Sequence, residues 1–505
     1  MKTIVALMKK EAFQQLLGLT VFLLICLYVF CGLTYLFRND GYDRRHIVGI
    51  KSEENNIDAV YVGGSAAFVY WQPLRAWRDC GFTSYSMATD SVQAEMLQAY
   101  IKEAEKYHDP QLYIIDARAF QYYTDDPSES GIRNGADSMD ITSLNRYQLL
   151  NEYFRHRNTD KNTDIVSYYI DLAKYHSNTE RLASEVSWGF LHNTGTSPEK
   201  GWEWIERYEC LEKPKDFQTE ERAILPDNAL DSLYKLIEYC KRVEKETLFV
   251  VCPYEISKED YAKYNAVKEV VEKAGFKFLN ANDYYDEMQI DFSKDFYNNA
   301  HVNAFGAEKY TKFLEKYICD NYEMPDHRGD VAYNAWDTGA ERFFREEGLI
   351  TQSITNLRLT YEKGEALEEA LKCAKSFSEW DNLVSDSRYF LLVTSVGDLE
   401  WPTGIADNKV LNKWNINESS KNIINIIANS RVLYTNAGTT DTSRIGSEGL
   451  PYTIDLNEKT VEIFDERIPI KEDKINVVLV DLMYMRVVEK AILDVTPDGI
   501  VVTEQ

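Results

Sequence analysis

The chain has 505 residues, with 82 acidic and 56 basic side chains and a formal net charge of −26. This acidic balance argues against nucleic acid as a partner, because a phosphate backbone would be repelled. Hydrophobic residues make up 44% of the sequence, which is typical of globular proteins and argues against general disorder. At about 100–200 residues per domain, the length predicts two to four domains.

An uncharged apolar run occupies residues 16–37. At about 1.5 Å per residue, it is long enough to cross a hydrocarbon core of about 30 Å. A cleaved signal peptide would have a shorter apolar region, of about 7–15 residues, followed by a site of small residues. Because Tyr35-Leu36-Phe37 ends the run, the sequence favours an uncleaved signal anchor over a signal peptide or a buried soluble helix.

Basic side chains lie on both sides of this run: Lys2, Lys9 and Lys10 before it, and Arg38, Arg44 and Arg45 after it. The positive-inside count is therefore close to balanced. The simpler arrangement keeps a short tail, residues 1–12, in the cytoplasm and places the acidic body outside the cell. We therefore predict a single-pass protein of the cell membrane that spans the bilayer with residues 13–37.

After a linker at 38–54, strand-like apolar runs alternate with amphipathic helix-like stretches over residues 55–322. The strand-like runs are 57–62, 111–116, 247–252 and 276–279. This alternation predicts an α/β domain, in which a parallel sheet has helices on both faces. A polar, aromatic stretch at about 120–225 interrupts the rhythm, and we predict a helical insertion that forms a wall or lid over the site.

The pattern changes again after residue 322. Residues 323–385 favour helix and are predicted to form a helical linker region. In residues 386–505, short β-rich runs separated by Asn, Asp and Gly predict a smaller β-rich domain of sandwich or jelly-roll type.

Gly63-Gly64-Ser65 directly follows the first strand-like run. A Ser at a strand-to-helix turn lies at the carboxyl end of a parallel sheet, where ligands usually bind. The two glycines permit a sharp turn and leave backbone N–H groups free to face an oxyanion. An ordinary turn with a Ser helix cap is the alternative interpretation of this motif alone.

A second stretch, from Asp295 to Asn303, contains His301 and precedes the last predicted helix of the sheet domain. An imidazole can deprotonate a serine hydroxyl near neutral pH, so His301 is a candidate general base. The hypothesis requires Ser65 Oγ within about 2.6–3.2 Å of one ring nitrogen of His301. It also requires a carboxylate or an amide behind the other nitrogen.

Together, the two stretches resemble the end blocks of the SGNH/GDSL hydrolase superfamily. The resemblance covers residues 55–320 and is carried by VYVGGSAAFVYWQ with the strand-loop that follows it, PQLYIIDARAF, KETLFVVCPYEIS and DFYNNAHVNAFGAEKYTKFL. The chain is similar to a membrane-anchored branch that includes proteins of alginate O-acetylation and of D-alanine transfer to teichoic acids. The resemblance implies an SGNH-like, flavodoxin-like α/β fold.

The resemblance also implies roles for matching residues. Ser65 would be the nucleophile, and His301 would accept its proton and later return it. The backbone amides of Gly64 and Ser65 would form part of an oxyanion hole. The family's acid lies three residues before the His, where this chain has Asn298; Asp295, three residues further back, is the alternative acid.

The family's central Gly and Gly-x-Asn donor blocks have no clear counterpart in this sequence. Arg118, at the end of a strand, is a candidate cationic oxyanion donor, and a structural salt bridge with Asp116 is the alternative. Tyr70 and Trp71 follow the nucleophile turn and are candidate substrate-binding residues, because aromatic faces often bind sugar rings. Packing in the core is their alternative role.

These observations predict a membrane-anchored, extracytoplasmic serine esterase or O-acyltransferase that acts on acyl groups of a cell-surface polysaccharide or another acylated glycan. The first alternative, which Asn298 favours, is a catalytically weakened SGNH-fold subunit that binds glycan or acts as a scaffold in a cell-envelope modification system. The second is a subunit that presents a glycan or an acyl carrier to a membrane acyltransferase.

No cofactor and no metal is predicted, since the sequence lacks ligand-spaced His, Asp and Cys clusters, a phosphate loop and a dinucleotide fingerprint. The eight cysteines have no paired CxxC spacing. Cys26 and Cys31 lie in the apolar run, and the six scattered cysteines are predicted to be buried free thiols.

Overall fold

The structure is a computed structural model. It describes residues 2–38, 41–121, 129–155, 164–399, 401–402, 409–417, 420–428, 431–436, 444–447 and 451–504. The chain divides into two compact units, Met1–Arg358 and Leu359–Gln505.

The first unit begins with α1 (Lys2–Phe37). Its segment Phe13–Phe37 is 25 residues long and is apolar enough to cross a membrane, a criterion that a signal sequence would also meet. Helix α2 (Tyr42–Gly49) starts five residues after α1 ends. The predicted linker at 38–54 therefore contains a helix, and that helix is packed into the body because Ile47 and Val48 are buried.

The body of this unit is built on a five-stranded parallel sheet, which confirms the predicted α/β class. The strands are β1 (Ala59–Gly63), β2 (Ser84–Ala88), β3 (Leu112–Asp116), β4 (Glu246–Val251) and β5 (Lys277–Asn280). Their order in the sheet is β2-β1-β3-β4-β5, and all neighbours are parallel. In this order the chain leaves β1 in one direction and β3 in the other, so a crevice opens at their carboxyl ends.

Every residue of β1, β2 and β3 is buried, as expected for a parallel sheet covered on both faces. The helices of the unit include α3 (Ser65–Tyr70), α4 (Pro73–Cys80), α5 (Ala94–Ala104), α6 (Glu129–Ala136), α7 (Leu144–Arg155), α8 (Val166–Tyr169), α9 (Leu172–Tyr175), α10 (Glu185–Gly189), α11 (Asp227–Val243), α12 (Lys258–Lys273) and α13 (Ala304–Asn321). A short hairpin, β6 (Phe296–Asn298) and β7 (His301–Val302), precedes α13.

The predicted insertion at about 120–225 is helical only in its first part. Helices α6 to α10 and a 3-10 turn, Thr179–Ala183, contain most of its described residues up to Gly189. Residues 190–226 form turns and irregular chain instead. Residues 122–128 and 156–163 of the predicted insertion lie outside the described residues.

Helix α14 (Asn334–Cys373) has 40 residues and occupies much of the predicted helical linker region. The boundary between the two units falls inside it, after Arg358. Trp336 and Phe343 on its first part belong to the core of the first unit.

The second unit is β-rich, as predicted. After α15 (Phe377–Val384) it has β8 (Tyr389–Asp398), the short α16 (Lys409–Lys413), β9 (Lys421–Ala428), β10 (Arg431–Thr435), β11 (Arg444–Ser447), β12 (Tyr452–Asp455), β13 (Thr460–Ile463), β14 (Glu466–Pro469), β15 (Ile475–Asp481), β16 (Arg486–Thr496) and β17 (Gly499–Glu504). One antiparallel sheet has the order β10-β9-β8-β15-β16-β17, and a second has the order β11-β12-β13-β14.

Successive residues of β8 point to opposite faces of the larger sheet. Leu391 packs with Trp380 and Trp414, whereas Leu392 packs with Ile454 of the smaller sheet. The larger sheet is therefore covered on both faces, on one of them by the second sheet.

The cysteines are all free thiols. Of the six cysteines outside α1, Cys240 and Cys252 are buried, as predicted, but Cys210, Cys319 and Cys373 are exposed. The prediction of buried thiols is therefore wrong for these three residues.

Candidate active site

Ser65 is the first residue of α3, at the carboxyl end of β1. The preceding glycines allow the close approach of the neighbouring strand β3. A Cβ atom on Gly63 would lie 2.4 Å from the Cβ of Asp116, a distance that no side chain tolerates. The turn therefore requires glycine at this position, and it places the Ser65 hydroxyl in the crevice beside β3.

His301 comes from a distant part of the chain, at the start of β7. Its Nε2 lies 2.6 Å from Ser65 Oγ, although 236 residues separate the two in sequence. Both side chains are half-buried. The structure thus brings the predicted nucleophile and the predicted base into hydrogen-bond contact.

Asn298 lies behind the imidazole. Its Oδ1 is 3.0 Å from His301 Nδ1 and also accepts the backbone N–H of Ala300 at 2.9 Å. A backbone N–H can only donate, so the Asn298 oxygen, and not its nitrogen, faces this position. His301 Nδ1 must then carry the proton, which leaves the Nε2 lone pair directed at the Ser65 hydroxyl.

The imidazole is neutral in this environment. Burial, and secondly the Arg118 cation, lower the pKa of His301 to about 3. The ring of Tyr297 stacks on the imidazole, with centroids 5.4 Å apart and planes 13° apart. The base is therefore in its proton-accepting form at neutral pH, but the imidazolium formed during a reaction is disfavoured.

Asp295, the alternative acid, is engaged elsewhere. Its buried carboxylate accepts from Lys309 Nζ at 2.6 Å and from the backbone N–H of Asp291 at 2.7 Å. Among the described residues, Asn298 is the side chain that hydrogen-bonds to His301 Nδ1. In this structure Asp295 is therefore paired with Lys309, and Asn298 stands behind His301 in its place.

The predicted oxyanion hole is only partly available. The Gly64 amide donates to Asp116 Oδ2 at 3.2 Å, so it is not free to face an oxyanion. Asp116 Oδ1 in turn accepts the backbone N–H of Arg118 at 2.9 Å. The amides of Ser65 and Ala66 are in the first turn of α3, where N–H groups lack intrahelical acceptors, and both residues line the cavity.

Arg118 follows β3 and also lines the cavity. Its Nη1 donates to the Ala300 carbonyl oxygen at 2.9 Å and to Cys252 Sγ at 3.3 Å. The guanidinium also lies over the Tyr254 ring, 4.5 Å from its centroid. It therefore places positive charge beside His301 and supports the loop that carries it.

Tyr70 and Trp71 do not line the cavity. Both are fully buried. The Tyr70 hydroxyl donates to the Ala300 carbonyl oxygen at 2.9 Å, and Trp71 Nε1 donates to Ser84 Oγ at 3.1 Å. The structure places them in the packing role that the sequence allowed as the alternative, so neither can contact a substrate there.

The cavity beside Ser65 and His301 has a volume of about 780 Å³. Its other lining residues include Tyr42, Phe68, Asp90, Glu203, Trp204, Ile205, Glu206, Arg207 and Tyr297. Sequence reasoning missed Tyr42, whose hydroxyl donates to Asp90, because it lay in the predicted linker and belongs to no motif. Trp204, in the irregular part of the insertion, is an aromatic wall residue that composition alone could not distinguish from a core residue.

Within the described ranges, no group of three or more His, Cys, Asp or Glu side chains could hold a metal ion.

Known proteins do not show which family this chain belongs to. No protein-family description matches the sequence, and no curated protein matches it. One solved structure, described as "a putative platelet activating factor" from Streptococcus pneumonia, aligns with 60% of this chain and 99% of its own length at 10% identity. Its TM-score of 0.27 is too low to carry a structural argument.

Proposed function

We propose that this protein is a membrane-anchored, SGNH-type serine esterase or O-acyltransferase that acts outside the cytoplasm on acyl groups of a cell-surface polysaccharide. The observation that carries the proposal is the 2.6 Å contact between Ser65 Oγ and the unprotonated Nε2 of His301, at the carboxyl edge of a parallel sheet. A hydroxyl held by a base whose tautomer is fixed by a third residue is the arrangement of an activated nucleophile.

In the proposed reaction, Ser65 Oγ bonds to the acyl carbonyl carbon while its proton moves to His301 Nε2. The oxyanion of the tetrahedral intermediate accepts from the Ser65 and Ala66 amides and lies beside Arg118. His301 then returns the proton to the sugar oxygen as the bond between that oxygen and the acyl carbon breaks.

The acyl group is now an ester of Ser65. Water or a second sugar hydroxyl attacks this ester and gives its proton to His301, and the Ser65 oxygen leaves with that proton. Attack by water gives hydrolysis, and attack by a sugar hydroxyl gives transfer. Both routes use the same two residues, so the geometry supports either.

The connection of α1 to the body supports anchoring over cleavage. Leu36 is buried, and Arg38 donates to Asp171 Oδ2 at 2.6 Å in a buried ion pair. Removal of α1 as a signal peptide, by cleavage after its apolar run, would strip Leu36 from this interface. An uncleaved helix keeps the contacts intact, and the acidic body then lies on the side of the membrane opposite the short tail.

The test is the turnover of p-nitrophenyl acetate and of acetylated glycan by Ser65→Ala. We expect a loss of about 10³–10⁴-fold or more, because the acyl-accepting oxygen is removed. Ser91→Gly is the matched control. Ser91 also lines the cavity, and its φ of 54° suits glycine.

A fluorophosphonate probe gives a second measurement of the same proposal. The activated oxygen should displace the fluoride, and mass spectrometry should find the adduct on Ser65 and not on Ser91. Unchanged turnover by Ser65→Ala together with no adduct on Ser65 would falsify the enzymatic proposal.

The second candidate is a glycan-binding or scaffold subunit with weakened catalysis. Two observations favour it. The amide of Asn298 stands where a carboxylate would stabilise the imidazolium. The Gly64 N–H donates to Asp116 and is not free to bind an oxyanion. For this candidate, purified protein would bind acetylated glycan with equal affinity before and after Ser65→Ala, and its turnover would stay at the background rate.

A further inference from the structure

The carboxyl end of α1 is enclosed by the helical insertion. The Phe37 carbonyl oxygen accepts from Asn178 Nδ2 at 3.1 Å, and the Tyr35 hydroxyl accepts from the Ile141 N–H at 3.1 Å. One residue later, Arg38 pairs with Asp171. These contacts fix the insertion to the point where α1 enters the body.

The insertion also reaches back along α1. Helices α9 and α10 and the turn Thr179–Ala183 between them pack against it. Leu191 Cδ1 lies 3.2 Å from the position of a Cβ on Gly32, and the ring of His192 lies 6.0 Å from that of Tyr28. Contact between the insertion and α1 therefore extends at least from Tyr28 to Arg38.

The length of α1 places this contact at the boundary of a bilayer. A hydrocarbon core of about 30 Å needs about 20 helical residues. Counted from Phe13, where the apolar segment of 25 residues begins, such a span ends near Gly32. Tyr28 and Gly32 then lie in the outermost turns of the hydrocarbon, so the residues that touch them, Leu191 and His192, are at the same depth.

Three large apolar side chains on these elements face outward. Leu182 is 47% exposed, Val186 is 62% exposed and Trp188 is 49% exposed. The indole N–H of Trp188 donates to the Leu182 carbonyl oxygen at 3.0 Å, so its polar atom is already satisfied. Trp is enriched at the level of the lipid headgroups, where an amphipathic ring has both apolar and polar surroundings.

We propose that Leu182, Val186 and Trp188 form a bilayer-binding face that inserts into the membrane interface beside α1. The occupant is the outer phospholipid leaflet, because the elements that carry the face pack against α1, and Leu191 and His192, just after α10, lie at the depth where α1 leaves the hydrocarbon. The proposal rests on α1 spanning the membrane, which is part of the proposed function, and is independent of esterase activity.

The test uses the full chain in vesicles of phosphatidylcholine. This zwitterionic lipid is chosen because the exposed Glu180 and Glu185 lie on the same elements and would repel anionic headgroups. The photo-crosslinking amino acid p-benzoyl-phenylalanine replaces Val186 or Trp188 in separate variants, and mass spectrometry detects adducts after irradiation.

Three matched positions complete the design. Phe22, 60% exposed on α1, reports on insertion of the span itself. Ile224 and Val331 are 97% and 77% exposed on the same unit, away from α1 in sequence, and control for apolar exposure as such. Flotation of each variant with the vesicles reports on membrane association.

We expect phospholipid adducts at positions 22, 186 and 188, with yields at 186 and 188 at least tenfold above those at 224 and 331. Adducts at position 22 alone, or equal yields at 186 and 224, would overturn the bilayer-binding face while leaving the anchor intact. A cross-linked dimer through position 186 or 188 would also overturn it, since the occupant would be a second copy. Absence of flotation and of an adduct at 22 would overturn the anchor and the face together.

Discussion

The two sides of the candidate active site differ in how they are built. On the proton-transfer side, Ser65, His301 and Asn298 form a continuous hydrogen-bonded line. On the oxyanion side, the Gly64 amide is bound to the carboxylate of Asp116. The first side depends on two short segments, whereas the second depends on Asp116 at the end of β3 and on Arg118 just after it. The hydrogen bonds of the predicted nucleophile and base are thus complete, whereas one of the two predicted oxyanion donors is already bound within the protein.

Loss of the base should have the largest effect on activity. We expect His301→Ala to lower kcat by about 10³–10⁴-fold, because the hydroxyl of Ser65 then has no proton acceptor. The measurement is turnover of p-nitrophenyl acetate. His176→Gln, at an exposed histidine, should keep the rate of the original protein. Equal rates for the two variants would contradict the role of His301 as the proton acceptor.

A substitution of Arg118 tests whether its guanidinium acts on the oxyanion side of the candidate site. If its guanidinium stabilises the developing negative charge, Arg118→Met should lower kcat by about 10²–10³-fold with a smaller change in KM. The same change should raise the pKa of His301, since the cation that lowers it is gone. A titration of the imidazole by NMR separates this electrostatic effect from loss of folding, because a purely structural role would not shift the pKa in a folded variant.

Asn298→Asp should strengthen the proton-transfer side. A carboxylate behind His301 stabilises the imidazolium, so we expect a gain in kcat of about 10–100-fold. The expected gain is modest because Asn298, oriented by the Ala300 N–H, already fixes the tautomer of His301, so the carboxylate adds only its charge. An unchanged rate would indicate that the oxyanion side, not the missing acid, limits the reaction.

The dependence of kcat/KM on pH tests the protonation state of His301. In the proposed mechanism His301 acts as a neutral base, and its pKa is lowered to about 3. The kcat/KM of the original protein should therefore stay level as pH falls from 7 to about 4 and decline only near pH 3. In Asn298→Asp the decline should begin at higher pH, because the new carboxylate raises the pKa of His301. A decline centred near pH 6.5 in the original protein would contradict the burial of this imidazole.

The smallest expected effect is on stability. Asp116→Asn leaves one carbonyl oxygen for two backbone donors, the amides of Gly64 and Arg118. A buried donor without an acceptor costs about 1–3 kcal/mol, so the free energy of unfolding should fall by about that amount. Chemical denaturation measures it, with the exposed Asp286→Asn as the control.

Much of the fold followed from apolar patterning. The runs at 57–62, 111–116, 247–252 and 276–279 coincide with β1, β3, β4 and β5 within two residues at each end. Strand β2 has no such run, since Ser84 and Ser86 alternate with its apolar residues, and only the resemblance to the hydrolase superfamily indicated a strand there. Hydrogen bonds from Trp71 and to the Ala67 carbonyl oxygen satisfy these serines in the core.

The site was predicted less completely. Ser65, His301 and Asn298 lie in short segments with recognisable spacing, so sequence could bring them together. The partner of Gly64 could not be foreseen, because it depends on the close approach of Asp116 from the end of another strand. Tyr42 was also missed, since its place in the cavity wall depends on the packing of α2 and not on any pattern near residue 42.

The short connection between α1 and α2 limits how far the candidate site can lie from the end of the apolar helix. Phe37 ends the apolar helix, and Tyr42 already lines the cavity, so five residue steps, at most about 18 Å of extended chain, join the two. With α1 in a bilayer, the Tyr42 side of the candidate site stays within this distance of the carboxyl end of α1. Under the proposed function, a long polysaccharide would be modified only on the stretch that passes close to the membrane, so distance from the lipid surface would itself select the sugars that are reached.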